Sequence, residues 1–345
     1  MTVGVIAHLE NPTYEDVRQL AGEAEEAGAE WLGVPDAFWW RDTWLLLAEA
    51  ARVTRRIRLG PLVTNPYLRH PFVTVSALAS LQDLAGPRVF AGLGAGGSEV
   101  RLAARISRRD AAERIEQLAS LIRRVQTGGP LDPASGRTLE VPLSNVSITV
   151  GARAPGVLRA AGRVADDVLL WAVPGSDLGR SVAAVREGYE SAREAGAGQG
   201  TSGATRPFPG LVWAPMVDHG PSSEKLLSRA ATYAVLNNTA QLRQQWGVDP
   251  VNVGRIRALL VAGRADDAAA LVPPAVLGDL AADPDPERAG AVAARIGATA
   301  MAVAATELGH VAARVAWARQ VIAVAARASA AAVATTNHSS PTNHN

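Results

Sequence analysis

Short apolar runs and amphipathic stretches take turns along most of the chain. Val3 to His8, Trp31 to Val34, Ile57 to Val63 and Arg88 to Leu93 are brief and apolar, and read as strands one to four. Helical repeats follow each of them: Tyr14 to Ala27, Trp44 to Thr54, Pro71 to about Asp83, and Arg108 to Val125. Turn chemistry marks the joints. Pro12-Thr13 opens the first helix and Gly28 closes it. Pro71 sits at a helix start, where its missing N–H costs little. The pattern loosens from Gly128 to Asn145, a stretch rich in Gly, Pro and Ser, and then resumes. Strand five is Val146 to Gly151, with a helix from Pro155 to Val164; strand six is Val168 to Trp171, with a helix from Leu178 to Ala195. A Gly/Ser/Thr loop, Gly196 to Gly210, leads to strand seven, Leu211 to Val217. A mainly helical region, Ser222 to Ala294, precedes strand eight, Ala298 to Ala304, and a last helix from about Leu308 to Ser329.

Strands alternating with helices predict a parallel sheet, and eight such units predict an α/β fold closed as a (β/α)8 TIM barrel. Residues 1–334 are expected to form one barrel domain, with 222–294 a helical insertion shaping the substrate pocket. The polar tail, Thr335 to Asn345, is expected to be disordered, and its two histidines read as tail residues rather than metal ligands.

Composition narrows the classes. At 345 residues the chain is long enough for a generous core. It has no cysteine, which excludes disulfides, thiolate metal sites and a cysteine nucleophile, and fits a reducing cytoplasm. The formal net charge is +1 and no basic stripe carries interleaved aromatics, so nucleic-acid binding is not expected. Lysine occurs once, at Lys225. No basic leader precedes the first apolar run, and no uninterrupted apolar segment suits a membrane span. No His/Asp/Glu set has metal-ligand spacing and no G-x-S-x-G elbow occurs.

Candidate chemistry gathers where strands three and four end, the face on which barrels carry their sites. Thr64, Asn65, Pro66, Tyr67, Arg69 and His70 follow strand three. Two X-Pro steps keep Asn65 and His70 out of the α region, so the turn is rigid and extended. Thr64 and Asn65 bring hydrogen-bonding groups, Arg69 a fixed cation, and His70 a proton-transfer group. The competing reading makes Asn65 the head of an Asx turn and His70 the cap of the next helix. Gly92-Leu93-Gly94-Ala95-Gly96-Gly97 matches G-x-G-x-x-G. A dinucleotide fingerprint also needs an acid at the next strand's end, and Asp110, Glu113 and Glu116 fall inside a helical repeat instead. A tight turn needing positive φ remains, or a glycine floor that lets a flat ring approach the backbone. His8 and Glu10 follow strand one. Asp36 follows strand two, with Trp39, Trp40 and Trp44 as a candidate aromatic wall. Arg153, Ala154, Pro155 and Gly156 lead from strand five into a helix whose amino end suits a phosphate.

The segment from Gly60 to Gly97, with EEAGAEWLGVPD and ITVGARAPGVLRAAGRVADDVLLWA, resembles the bacterial luciferase-like superfamily. It is especially similar to the F420-dependent branch related to methylenetetrahydromethanopterin reductase. The resemblance implies a barrel holding F420 or FMN at its carboxyl face. It implies a non-proline cis peptide in strand three, here Leu62–Val63 or Val63–Thr64. By position, Asp36, Val63, Thr64, Asn65 and Gly94, Ala95, Gly96 and Gly97 would meet the ring, and Arg153, Ala154, Pro155 and Gly156 the coenzyme's phosphate or tail. Homodimers are implied as well. Relatives often have an Asp-His pair after strand two; here Asp36-Ala37 stands there. Gly97 or Ser98 occupies the place of a glutamate found in some F420 dehydrogenases. His8, Trp39 and His70 are the candidates for the missing catalytic group.

Three functions follow. The first is an F420-dependent oxidoreductase moving hydride between the deazaflavin ring and a small organic substrate over Trp39, Trp40 and Trp44. The alternative is an FMN-dependent luciferase-like monooxygenase, fed by a flavin reductase partner. The third is a barrel that binds a ligand without catalysis, which Ala37 motivates.

Overall fold

The computed structural model describes residues 2–96, 100, 103–107, 109–198, 206–217 and 221–338. Eight strands form one parallel sheet: β1 (Thr2–Ala7), β2 (Trp31–Val34), β3 (Arg58–Pro61), β4 (Phe90–Gly94), β5 (Ser147–Gly151), β6 (Asp167–Trp171), β7 (Gly210–Ala214) and β8 (Ala300–Ala305). Their order is β3-β2-β1-β8-β7-β6-β5-β4. Parallel bridges Leu59–Val89 and Thr64–Leu93 join the two end strands and close the barrel. Among the described residues the helices are α1 (Tyr14–Glu26), α2 (Thr43–Val53), α3 (Pro71–Ala85), α4 (Ala111–Gln126), α5 (Pro155–Val164), α6 (Leu178–Gly198), α7 (Pro221–Asn237), α8 (Ala240–Gln245), α9 (Pro250–Val261), α10 (Ala265–Ala269), α11 (Pro274–Leu280), α12 (Pro286–Ile296) and α13 (Val311–His338).

Parallel strands covered on both faces must be apolar throughout. Leu32, Leu59, Leu93, Ile148 and Val168 face the helices in one core. Ile6, Phe90, Leu169, Val212 and Ala302 fill the barrel, with Trp31 against them. The Trp31 ring fits there because β1 has no side chain at Gly4; a Cβ on Gly4 would stand 1.9 Å from Trp31 Cε2. Helices α7 to α11 bury a separate core of Leu227, Leu242, Trp246, Ile256 and Leu280, reached by Met216 and Ala172 from the strand ends.

Caps fix where helices begin. Thr13 and Asp16 make a reciprocal capping box on α1. The loop into β3 is held by Glu25, whose carboxylate accepts the backbone N–H groups of Arg55, Arg56 and Ile57.

The structure moves several boundaries. β3 stops at Pro61, because the Leu62–Val63 peptide is cis and the chain bends before Thr64 rejoins β4. That bond is one of the two expected. β7 ends at Ala214 rather than Val217. The final helix continues past Ser329 to His338, so the first residues of the expected tail are helical; residues 339–345 lie outside the described set, as does Gly97. No helix among the described residues is long and apolar enough to cross a membrane.

Candidate functional site

A cavity of about 350 Å³ opens at the carboxyl ends of the strands. Ile6 and His8 reach it from β1, Asp36, Ala37, Trp39 and Trp40 from the segment after β2, and Leu62 and Val63 from the cis bend. Ala95 and Gly96 follow β4, Arg153 and Ala154 follow β5, and Trp171 ends β6. Leu226, Arg229, Tyr233 and Asn237 of α7 form the remaining wall.

The bend after β3 sets one floor of this space. The Thr64 N–H donates to the Gly92 carbonyl at 2.9 Å, and the Gly94 N–H donates to the Thr64 carbonyl at 3.0 Å. The Thr64 hydroxyl donates to Asp36 at 2.7 Å. Burial raises the Asp36 carboxyl above the usual range, against the Thr64 hydrogen bond and the Arg69 charge, which lower it. Arg69 sits 3.9 Å from Asp36 and pairs more closely with Asp42.

Asn65 is fully buried. Its Oδ1 accepts the N–H groups of Tyr67 and Leu68, each at 3.1 Å, which is an Asx turn. Its Nδ2 has no hydrogen-bond partner among the described residues. Gly96 packs against that amide at φ +78°, and a Cβ built on it would stand 3.5 Å from Nδ2. Glycine is called for here by its conformation, a positive φ that other residues adopt only with strain.

His8 stacks on Trp171 with ring centroids 5.7 Å apart and planes 6° from parallel, and meets the edge of Trp40 at 6.1 Å. Burial drives its pKa down to about 4, with a smaller lowering from Arg229 and an opposing effect of its own backbone. The imidazole is therefore neutral at neutral pH. Its folded pKa lies below the unfolded 6.5, so the folded state resists protonation. The stability this contributes is complete above about pH 6.5 and is lost as pH falls toward 4. A His8→Gln variant is expected to be less acid-sensitive than the parent by about 2 kcal/mol between those values. Denaturant melts of both proteins at pH 7 and pH 4.5 check this; an unchanged difference would refute it. The variant comparison is needed because Asp36 and Asp167, whose carboxyls burial raises, act with the opposite sign.

Of the residues singled out from the sequence, His8, Asp36, Trp39, Val63, Ala95, Gly96, Arg153 and Ala154 come together on the cavity. Thr64, Asn65 and Gly94 lie buried just behind it. Pro155 and Gly156 open α5, exposed and off the cavity lining. His70 is placed elsewhere: it is exposed, caps α3 by accepting the Phe72 N–H at 3.3 Å, and packs edge-on against the Phe72 ring. The two X-Pro steps gave it the extended backbone of a cap, not a path to the strand mouth. Trp44 packs against the barrel's outer core instead of the cavity, since it lies on α2 beyond the turn that carries Trp39 and Trp40. The WAVPGSD segment beginning at Trp171 and the 222–294 stretch that holds α7 were expected near the site, but no single α7 residue was. Trp171 carried a signal, as the last residue of a strand on the ligand-bearing end. Arg229 and Tyr233 carried none, because only the tertiary fold brings α7 across the mouth.

A parallel barrel with a cavity, a bent third strand and a glycine floor at its carboxyl face defines a ligand-binding (β/α)8 protein. Residues 1–282 match the luciferase-like monooxygenase family. The chain belongs to that family. It is 28% identical over 163 residues to the 5,10-methylenetetrahydromethanopterin reductase of Archaeoglobus fulgidus, covering 46% of this chain and 49% of that protein. It is 28% identical to the F420-dependent glucose-6-phosphate dehydrogenase of Kineococcus radiotolerans, covering 55% and 63% respectively. The match thus spans about half to two thirds of the length of these curated relatives. In fold it is similar to the coenzyme F420 dependent tetrahydromethanopterin reductase from Methanopyrus kandleri, with a TM-score of 0.71, 20% identity, and coverage of 93% of this chain and 98% of that one.

Proposed function

We propose that this protein is a coenzyme F420-dependent oxidoreductase that transfers hydride to or from a small organic substrate. The observation that carries this reading is the junction of the chain after β3 with the glycine end of β4. Leu62, Val63, Ala95 and Gly96 line the cavity, and the buried Asn65 amide packed against Gly96 has no partner among the described residues. That combination fits a planar heterocycle with a polar edge. The relatives named as F420-dependent enzymes support the same coenzyme.

In this reading Val63, Ala95 and Gly96 hold the ring's body, and Asn65 and Asp36 meet its polar edge. Arg153 and Ala154, at the start of α5, hold the anionic tail, where free N–H groups and the helix dipole favour negative charge. The bound deazaflavin would supply the two-electron chemistry. The chain's own work is to place the substrate against the ring and keep water out, which is where proximity contributes most. Ala37 adds no proton-transfer group. His8 is an imidazole on the cavity wall, neutral and stacked on Trp171, and so able to hydrogen-bond the substrate without carrying a charge.

Anaerobic titration with oxidised F420, and separately with oxidised and reduced FMN, followed by fluorescence, tests the proposal. F420 is expected to bind at least tenfold more tightly than either form of FMN, with tenfold equal to about 1.4 kcal/mol. A preference for reduced FMN would replace the proposal with a monooxygenase. Binding of neither would leave a barrel without this coenzyme.

A further inference from the structure

Five aromatic rings run in a continuous series from the exposed Phe38 to the cavity wall at Trp171. Phe38 meets Trp39 at 4.9 Å, Trp39 meets Trp40 at 6.4 Å, Trp40 meets His8 at 6.1 Å, and His8 stacks on Trp171 at 5.7 Å. These four contacts fix the ring planes, because successive edges and faces attract. Exposure falls along it: Phe38 is 52% and Trp39 40% exposed, and Trp40, His8 and Trp171 are only partly so. A globular chain gains nothing in stability by leaving large rings in water beside an open cavity, so a contiguous patch of this sort marks a binding surface.

The rim beside it is positive. Glu10, after β1, is shared by two cations of α7, Lys225 at 2.9 Å and Arg229 at 3.6 Å. One carboxylate between two cations leaves a surplus positive charge, and Arg229 is the member that lines the cavity. The acid among the lining residues, Asp36, is already engaged by Thr64 and Arg69.

We propose that the outer half of the cavity takes a planar aromatic anion as substrate, received on the Phe38–Trp39–Trp40–His8–Trp171 series with its charge toward Arg229. This names the substrate class for the site assigned above and rests on that reading for the chemistry, while the binding itself stands apart from it.

The test uses the full chain free of coenzyme and three probes: 2-naphthoate, its fully saturated decahydro analogue, and neutral 2-naphthylmethanol. By calorimetry, 2-naphthoate is expected to bind about tenfold more tightly than the saturated acid, since ring faces add attraction beyond buried area. It is expected to exceed the neutral alcohol by about threefold, the modest gain of a partly exposed charge pair. Trp39→Ala, on an exposed segment, should weaken 2-naphthoate about fivefold and leave F420 affinity within about twofold. Arg229→Gln should remove the preference for the acid over the alcohol. Adding F420 should leave 2-naphthoate bound. Equal affinity for aromatic and saturated acids, no effect of Trp39→Ala, or displacement of 2-naphthoate by F420 would each overturn the proposal. Failure of F420 to bind would reject the assigned function alone, because the probe series is read without it.

Discussion

Gly92→Ala is expected to destabilise the barrel by about 3 kcal/mol or more, above the usual range for overpacking because the obstruction is backbone. A Cβ there would stand 2.0 Å from the Pro61 carbonyl oxygen and 2.8 Å from Leu62 Cδ1. Neither side can retreat. Gly92 accepts the Thr64 N–H at 2.9 Å on the β3 side and is in register with Thr149 of β5 on the other. Moving β4 away would open the β3–β4 seam that closes the barrel, and that seam also forms the cavity floor. A melting temperature lowered by more than about 5 °C, with reduced soluble yield, is the expected readout. Gly22→Ala serves as the control. Gly22 lies within α1 with nothing near its Cβ direction, so alanine should stabilise the helix by about 0.5–1 kcal/mol. If Gly92→Ala melts with the parent, the seam is softer than its geometry and the floor is not rigid.

The contrast between those two glycines shows what the sequence could and could not convey. Both are glycines in regular elements. Nothing in the letters separates them, because the difference lies in which strand end passes 2.0 Å away. Elements with strong periodicity were legible. Strands β1, β2, β5 and β6, and helices α1 and α5, lie within a residue or two of their expected places. Boundaries set by tertiary contact were not. The β3 run is apolar as far as Val63, yet its ladder stops at Pro61, because the bend at Leu62–Val63 turns the backbone out of register before Thr64 rejoins β4. The site was legible where it depends on strand ends, as with His8, Asp36 and Gly96. On α7 only the region was legible: 222–294 was expected to shape the pocket, but nothing in the sequence marked Arg229 and Tyr233 within it. His70 illustrates the ambiguity of a polar turn. The residue type suggested proton transfer, and the backbone before Pro71 made it a cap.

Asn65→Asp is expected to lower F420 affinity by about tenfold to a hundredfold, and to cost stability at neutral pH because its second carboxylate oxygen is buried with no donor. The two ends of this side chain differ in their partners. Oδ1 holds the turn by accepting the Tyr67 and Leu68 N–H groups, and aspartate can accept both. Nδ2 is a buried donor with no partner among the described residues, and an unsatisfied buried donor costs about 1–3 kcal/mol. A ligand acceptor reaching it across Gly96 would recover that energy on binding. Aspartate replaces the donor by an acceptor, so the gain disappears and a carboxylate faces the ring's polar edge. Asn65→Ala provides the second comparison. It removes both ends, and should lose stability of about 1–2 kcal/mol as well as affinity, since two backbone N–H groups lose their acceptor. Coenzyme titration beside thermal melts at several pH values separates the effects: the melting loss of the Asp variant shrinks as its buried carboxyl protonates at low pH, and that of the Ala variant does not. Full coenzyme affinity in Asn65→Asp would show that the unpartnered amide is not what the ring meets. The junction of bent strand and glycine floor would then be a structural seam, with the coenzyme's polar edge held elsewhere on the cavity wall.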